Sequence, residues 1–147
     1  MLVDQGLELL SEAEAWELLV HGEVGRVGVT MGGVPAIFPV NYTVIDGAIV
    51  FRTAPGAKLS AATADNVVAF EVDHHERHGR IGWSVLVVGR CEVVHDLEVT
   101  FEVLQAGLEP WVENRTELVR IKPEFISGRR IVHTGHGSGR AFRRDGA

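Results

Sequence analysis

The pattern of apolar and polar residues begins as a helix and then changes to strands. Ser11 and Glu14 form a capping-box pattern, and apolar residues (Ala13, Trp16, Leu19, Val20) follow at helical spacing. Because glycine is common just past a helix terminus, His21-Gly22 predicts the end of this helix. Strands are then predicted over residues 25–30, 34–44 and 48–53, with a hairpin turn at Asp46-Gly47 between the last two.

The second half of the chain continues this β-rich pattern. Helices are predicted over residues 58–63 and from Asp96 to Gly107. Strands are predicted over residues 67–73, 81–94 and 117–122, the last with an extension to 131 after an interruption. The fold class is therefore mainly β with flanking helices. Because most neighbouring strands are joined by tight turns, we expect a closed or nearly closed six-stranded antiparallel barrel.

The chain divides into three parts on this basis. Residues 1–10 are predicted to be an N-terminal extension, residues 11–132 the barrel domain, and residues 133–147 a flexible, glycine-rich C-terminal tail.

Composition excludes several classes of protein. The net charge of −6 argues against a nucleic-acid binder, which needs a clustered basic surface. The single Cys91 rules out an intramolecular disulfide and favours a reducing compartment. Asp4 and Glu8 stand where a signal peptide needs positive charge, and no apolar run approaches the ~20 residues that cross a bilayer. We expect a cytoplasmic protein with no membrane partner.

The segment VFRTAPGAKLSAA (residues 50–62) places two cations and a hydroxyl around a short turn. If a strand ends at Thr53 and a helix begins at Lys58, then Arg52, Thr53 and Lys58 converge, and a phosphate group there gains charged partners. A solvated cationic turn explains the same residues, and the segment alone leaves both interpretations open.

Two further segments combine aromatic and polar residues. Pro39 within a strand predicts an edge or a bulge, where backbone groups beside Asn41 and Tyr42 could face a flat heteroaromatic ligand. Trp83 and Ser84 begin a strand and suit either a ligand wall or the core. For each segment taken alone, packing of its aromatic residue in the core is the favoured interpretation.

The segment D-H-H-E-R-H (residues 73–78) is a candidate metal site on composition alone. Its spacing matches no zinc motif, and the segment is predicted to lie in a polar loop between strands, so a solvated loop is favoured and no metal is expected.

The order of these segments resembles that of the pyridoxamine 5′-phosphate oxidase-like flavin-binding family. The sequence runs from I-F-P-V-N-Y through I-V-F-R-T-x-x-G-x-K-L and V-A-F-E-V-D to G-W-S-V-x-V-x-G-R and V-R-I-x-P-x-x-I-x-G-R-R. The chain is most similar to the smaller bacterial branch, which includes nitroimidazole-resistance-type proteins. The resemblance covers residues 11–131.

This resemblance implies a six-stranded split barrel, a homodimer, and FMN bound at the dimer interface. By resemblance, Arg52, Thr53 and Lys58 hold the flavin phosphate, Ser84 and Trp83 lie near its ribityl-phosphate end, and Trp111 comes from the partner subunit. The segment Pro39, Val40, Asn41 and Tyr42 would lie along the isoalloxazine ring, with backbone N–H groups at its polar edge.

One departure from the family limits what carries over. The oxidases that name the family grip the pyridoxine phosphate with a C-terminal arginine–histidine arrangement, and the end of this chain (Arg129, Arg130, His133) does not align with it. Flavin binding therefore carries over, but oxidation of pyridoxamine 5′-phosphate does not, and no catalytic residue is identified.

Two hypotheses remain open at this point. The first is an FMN-dependent oxidoreductase acting on a small organic substrate, with a deazaflavin coenzyme as a variant. The second is a dimer that binds flavin or haem for storage or sensing, without turnover.

Overall fold

The computed structural model describes residues 3–4, 6–53, 58–78, 81–94 and 117–131. Within these residues the elements are two helices and eight strands. In chain order they are β1 (Val3–Asp4), β2 (Leu7–Leu9), α1 (Glu12–Val20), β3 (Val24–Met31), β4 (Val34–Ile45), β5 (Ala48–Thr53), α2 (Lys58–Thr63), β6 (Val67–Glu76), β7 (Ile81–Val94) and β8 (Glu117–Ile131). The predicted helix from Asp96 to Gly107 lies outside the described residues.

Six of the strands close into a barrel. Around it the strand order is β8, β5, β4, β3, β6 and β7, and β7 pairs again with β8. Every pairing is antiparallel. This closure confirms the predicted six-stranded antiparallel barrel.

The two short N-terminal strands extend the sheet beyond the barrel. β2 pairs with the last residues of β8, from Arg129 to Ile131, and β1 pairs with β2. The sequence pattern did not predict these strands, because a three-residue strand shows no periodicity and its partner lies more than a hundred residues away.

The barrel interior is filled by one face of each strand. Phe51, Phe70, Ile49 and Ile121 are fully buried and belong to one continuous apolar cluster. Side chains alternate between the two faces of a strand, and on the outer face Val50 is buried in a second, smaller cluster with Ile45, Val94 and Leu118.

Helix α1 packs against this barrel and starts where the capping box predicts. The Ser11 hydroxyl accepts from the Glu14 N–H at 3.2 Å, and the Glu14 carboxylate accepts from the Ser11 N–H at 3.3 Å. The buried residues are Ala15 and Leu19, whereas Ala13 and Val20 are exposed. The predicted helix is therefore confirmed, with its buried face turned toward Ala15.

Two strands differ from their predicted extents. β6 continues through His74, His75 and Glu76, which pair with the start of β7, so the first three residues of the predicted polar loop are strand. β8 runs through Pro123 to Ile131 without a break, and a register shift opposite Val88 and Gly89 absorbs the proline. The predicted interruption is a bulge within one strand.

No helix in the described part of the chain is both long and apolar enough to span a bilayer.

Candidate functional site

The barrel opens between β4 and β5. Their ladder ends at the pair Tyr42–Phe51, so the next two residues, Asn41 and Arg52, are not a ladder pair. Before Tyr42, β4 pairs only with β3, and after Phe51, β5 pairs only with β8. This gap is the split of the barrel, and it lies between two segments that the sequence singled out.

Backbone directions along β4 follow from two observations. The Tyr42 N–H donates to the Glu23 carbonyl at 3.0 Å, on the β3 side. On the other side, Ile45 and Ala48 flank the two-residue Asp46-Gly47 turn, as hydrogen-bonded neighbours do in a hairpin. Since successive residues of a strand direct their backbone groups to opposite neighbours, the N–H and C=O of Asn41 point toward the gap.

Pro39 lies on the part of β4 that has a single neighbour. The β3–β4 register runs without a shift from Met31–Val34 to Val24–Asn41, so there is no bulge at the proline. A residue without an N–H fits this open edge, because no ladder bond is lost there. The edge alternative of the prediction is confirmed.

The side chains of this segment separate by face. Val40 and Tyr42 point into the barrel and are buried, whereas Pro39 and Asn41 point outward. The Tyr42 hydroxyl donates to the Leu19 carbonyl at 2.6 Å. The rings of Tyr42 and Phe70 pack edge to face, with their centroids 4.9 Å apart. Tyr42 is therefore a core residue, and a ligand at the gap meets the backbone of this segment and its outward residues.

Arg52 and Thr53 also lie on opposite faces of their strand. The Thr53 side chain is buried on the inner face, whereas Arg52 is half-buried on the outer face, with its Nε atom fully buried. Lys58 is exposed at the start of α2, and residues 54–57 between them lie outside the described part. The Arg52 and Thr53 side chains therefore lie on opposite faces of β5 and do not converge on one point.

A carboxylate lies close to this segment. Glu117 pairs with Thr53 across the β5–β8 ladder, and its Oε2 accepts from the Ser60 hydroxyl at 2.6 Å. This hydrogen bond ties α2 to the start of β8. The sequence analysis missed Glu117, because only the ladder register brings it beside Thr53.

Trp83 and Ser84 lie elsewhere on the barrel. Trp83 packs against the core and stacks on His74 at a ring-centroid distance of 6.3 Å, whereas Ser84 points outward opposite Arg129. Both residues line a cleft of about 310 Å³, whose walls also include Leu7, Asp73, Arg129 and Ile131. The predicted ligand-wall residues therefore line a cleft in the structure.

The structure does not bring Ser84 to Arg52 within one chain. Arg52 pairs with Leu118 of β8 and Ser84 pairs with Arg129, so the two residues are two inter-strand steps apart but eleven residues apart along β8, which is about 36 Å at the usual rise per residue. A phosphate contacts its donors at about 3 Å. The two clusters therefore lie beside opposite ends of β8 in one protomer.

The outer surface between these clusters carries an apolar row. Ladder neighbours Ile37, Gly28, Ala69, Val88 and Phe125 run across five strands, and Ile37 and Phe125 are 72% and 54% exposed. One register step away, the Arg26 guanidinium bridges Glu71 and Asp73 at 2.6 and 2.5 Å. This apolar row was not predicted, because its members are adjacent only through strand register.

The remaining titratable candidates are structural or solvated. His74, His75 and His78 are exposed, and no metal-binding group of three His, Cys, Asp or Glu residues occurs in the described ranges. Cys91 is buried in the core, and this burial raises the pKa of its thiol to about 12. Trp111 and His133 lie outside the described residues, so their predicted roles stay predictions.

The region around the gap fits a flavin nucleotide. It combines an open strand edge with backbone groups at Asn41, a half-buried guanidinium at Arg52 and an ammonium at Lys58. An open edge can hydrogen-bond the polar side of a planar ring, and the cations can hold a phosphate.

Comparisons with known proteins agree with this geometry. A model of the pyridoxamine 5′-phosphate oxidase family matches residues 11–130. The uncharacterized protein Rv0080 of Mycobacterium tuberculosis is 40% identical over 129 residues, which are 84% of each chain. The structure of the FAD binding protein from Mycobacterium smegmatis is 40% identical, with a TM-score of 0.74 over 84% of this chain and 98% of that chain.

A more distant structure shares the fold. It comes from Bacteroides thetaiotaomicron, and its name refers to 5-nitroimidazole antibiotic resistance. It is 14% identical, with a TM-score of 0.66 over 86% of this chain and 89% of that chain. The family match, the 40% identity and the shared split barrel lead to one conclusion: the chain belongs to the pyridoxamine 5′-phosphate oxidase-like family of flavin-binding split-barrel proteins.

Proposed function

We propose that this protein is a flavin-dependent oxidoreductase that acts on a small organic substrate and holds its flavin nucleotide at the interface of a homodimer. The observation that carries the proposal is the end of the β4–β5 ladder at Tyr42–Phe51, which leaves Asn41 and Arg52 on facing strands; Lys58 begins the next helix along the chain. This arrangement offers an open backbone edge for a ring and cations for a phosphate.

The phosphate depends more on Arg52 than on Lys58. Arg52 is half-buried, so its charge is less screened by water than that of the exposed Lys58. A guanidinium can also donate two parallel hydrogen bonds to a phosphate. Thr53, whose side chain is buried on the other face, contributes to the shape of the strand end.

The nucleotide is either FMN or FAD. The resemblance to the family implied FMN, whereas the 40%-identical relative from Mycobacterium smegmatis is named as a FAD binding protein. Both carry the same ring and the same first phosphate, so the edge and the cations described above suit both. Mass analysis of the bound nucleotide distinguishes them.

A homodimer accounts for the separation of the two predicted clusters. Ser84 and Arg52 pair with β8 at positions eleven residues apart, about 36 Å along that strand, so a flavin that contacts both needs Ser84 of a second copy. The exposed apolar row from Ile37 to Phe125 lies between the clusters and is suited to burial against that copy.

In this proposal the flavin supplies the redox chemistry, because its ring accepts and donates electrons or hydride. The residues of the chain bind and orient it: Arg52 and Lys58 hold the phosphate, and the β4 edge fixes the polar side of the ring.

Substitution of the two cations tests the proposal. We expect Arg52→Ala combined with Lys58→Ala to weaken flavin binding by several kcal/mol, at roughly 1.5–3 kcal/mol per charged hydrogen bond. Titration of the apoprotein with FMN and FAD, followed by flavin fluorescence, measures the change. The matched control is Arg77→Ala with Lys122→Ala, which removes two exposed cations away from the gap.

The outcome separates several possibilities. A wild-type protein that binds neither nucleotide overturns the proposal. Unchanged affinity in the double variant would show that Arg52 and Lys58 do not bind the phosphate and favours the interpretation as a solvated cationic turn. Reduction of the bound flavin by NADH, NADPH or a reduced deazaflavin supports the oxidoreductase. A flavin that binds but is reduced by none of them favours the storage or sensing alternative.

A further inference from the structure

Glu117, the first residue of β8, contacts both elements that carry the candidate phosphate-binding cations. It is the ladder partner of Thr53, which follows Arg52 at the end of β5. Its Oε2 atom also accepts a hydrogen bond, at 2.6 Å, from the hydroxyl of Ser60 in the first turn of α2. One residue therefore links β5, which carries Arg52, to α2, which begins with Lys58.

The other contacts of α2 do not replace this link. Leu59 is buried in the apolar core, but apolar packing is not directional and does not by itself fix the end of a short helix. Among the described residues, the side-chain hydrogen bond from α2 to a strand is that of Ser60, because the Thr63 hydroxyl donates to carbonyls of its own helix. The Ser60–Glu117 hydrogen bond therefore fixes the end of α2 at which Lys58 lies.

The Glu117 carboxylate is placed to hold Ser60 and not to bind an anion. Ladder partners direct their side chains to the same face of a sheet, so Glu117 shares the inner face with Thr53, whereas Arg52 lies on the outer face. Lys58 precedes Ser60 by two residues, which is about 200° around a helix. Accordingly, Lys58 is exposed and Ser60 is buried. The carboxylate and the two cations therefore lie on different faces of their elements.

We propose that Glu117 is a positioning residue for the flavin phosphate: its hydrogen bond to Ser60 sets the position of Lys58 relative to Arg52, so that both cations reach one phosphate group. This inference rests on the proposed function and adds to it a residue that does not touch the nucleotide. A carboxylate in contact with the phosphate would repel it. A change at Glu117 should therefore alter the contribution of the phosphate to binding and leave that of the ring unchanged.

The test compares FMN with riboflavin, which has the same ring and ribityl chain but no phosphate. Fluorescence titration of the apoprotein measures both affinities in the wild-type protein, Glu117→Ala and Glu117→Gln. We expect Glu117→Ala to bind FMN about 10-fold more weakly, as the loss of one charged hydrogen bond to the phosphate predicts, with riboflavin affinity unchanged. Glu117→Gln should resemble the wild-type protein, because the amide oxygen still accepts from Ser60.

Two further variants separate positioning from a general effect on the fold. Glu124→Ala is the matched control, since it removes an exposed carboxylate from the same strand, and it should change neither affinity. In a Lys58→Ala background, Glu117→Ala should have little further effect on FMN, because the side chain that it positions is absent. Circular dichroism confirms that each variant is folded. If Glu117→Ala does not fold, Ser60→Ala removes the same hydrogen bond and takes its place.

The outcomes are distinguishable. Parallel losses of FMN and riboflavin binding in Glu117→Ala would show a purely structural role and overturn the inference, as would unchanged binding of both. Tighter FMN binding by both Glu117→Ala and Glu117→Gln would show that the carboxylate repels the phosphate, which also overturns it. An undiminished effect of Glu117→Ala in the Lys58→Ala background does the same, and this comparison decides if riboflavin binds too weakly to measure. A wild-type protein that binds neither ligand overturns the proposed function itself.

Discussion

Tyr42 shows how a residue with ligand-binding chemistry can serve the core. The sequence left two roles open for it, at a ligand or in the interior, because an aromatic ring beside a proline and an amide suits both. The strand register decides: Tyr42 pairs with Phe51 on the inner face, and its hydroxyl reaches the Leu19 carbonyl of α1. Burial raises the pKa of Tyr42 to about 12.

Removal of the Tyr42 hydroxyl tests whether this residue stabilises the fold or contacts the ligand. We expect Tyr42→Phe to lower the free energy of unfolding by about 1 kcal/mol, the usual net value of one hydrogen bond, and to leave flavin affinity unchanged. Urea unfolding and flavin titration of the same preparation measure both. A variant of normal stability with weakened flavin binding would place Tyr42 at the ligand instead.

The burial of Cys91 makes the free energy of unfolding depend on pH. Its folded pKa of about 12 lies above the ordinary value of 9.0, so the unfolded chain releases this proton at a lower pH than the native protein. Stability from this group is complete well below pH 9 and falls as pH rises through 9, by about 1 kcal/mol between pH 9 and 10. Tyr42 adds to the loss above pH 10.

The measurement compares urea unfolding of the wild-type protein and Cys91→Ala at pH 8, 9 and 10. We expect the variant to be less stable throughout, because it leaves a cavity, but to lose less stability than the wild-type protein between pH 9 and 10. Parallel losses in the two proteins would contradict the assignment.

At the scale of elements, local sequence signals predicted well wherever the relevant contacts were themselves local. The capping box at Ser11 starts α1, and Asp46-Gly47 makes the β4–β5 turn with positive φ at both residues. The predicted ranges of β5, α2 and β7 are the observed ones. β2 and the end of β6 were missed, because their partners are distant in sequence or their residues are polar.

The bulge in β8 depends on a glycine of the neighbouring strand. A Cβ on Gly89 would lie 2.1 Å from the Lys122 carbonyl oxygen, a backbone atom that cannot rotate away. We expect Gly89→Ala to lower the free energy of unfolding by about 1–3 kcal/mol, as overpacking does.

The matched control is Gly28→Ala, also on a barrel strand. There a Cβ would meet Ala69 at 3.6 Å, an ordinary contact. Thermal unfolding of both variants measures the difference, and equal losses would show that the alanine side chain itself, rather than the close approach to Lys122, is responsible.

At the scale of the whole molecule, the site residues were predicted better than their arrangement. The segments at Asn41 and Arg52 do face each other across the gap, but Ser84 lies beside the opposite end of β8 from Arg52. Spacing along the chain cannot reveal this, since the separation depends on where each residue pairs along β8. In the proposed homodimer, Ser84 of one copy lies at the same site as Asn41 and Arg52 of the other.

Mixed dimers test whether one site uses two chains. Alone, Arg52→Ala/Lys58→Ala and Ser84→Glu should each bind little flavin, the second because a carboxylate repels the phosphate. A purified dimer with one chain of each kind should recover one site of two, since Arg52 and Lys58 of one chain meet Ser84 of the other. No recovery of flavin binding in the mixed dimer would contradict a shared site.

The apolar row predicts the contact between the copies. We expect Ile37→Arg to shift the protein from dimer to monomer in analytical ultracentrifugation, because a charge would be buried without a partner. Val20→Arg is the control, since Val20 is similarly exposed but lies on α1. A dimer that persists in Ile37→Arg would place the contact on another surface.

The position of β8 at the end of the described chain affects when the barrel can fold during synthesis. β8 joins β5 to β7 and also holds β2, so the barrel closes only through contacts between the beginning, the middle and the end of the described chain. Such distant contacts slow folding, because the chain loses the entropy of closing long loops before the contacts between their ends stabilise it. During synthesis, the earlier strands emerge with their β8 partners still missing. We therefore expect closure of the barrel to follow release of residue 131 from the ribosome.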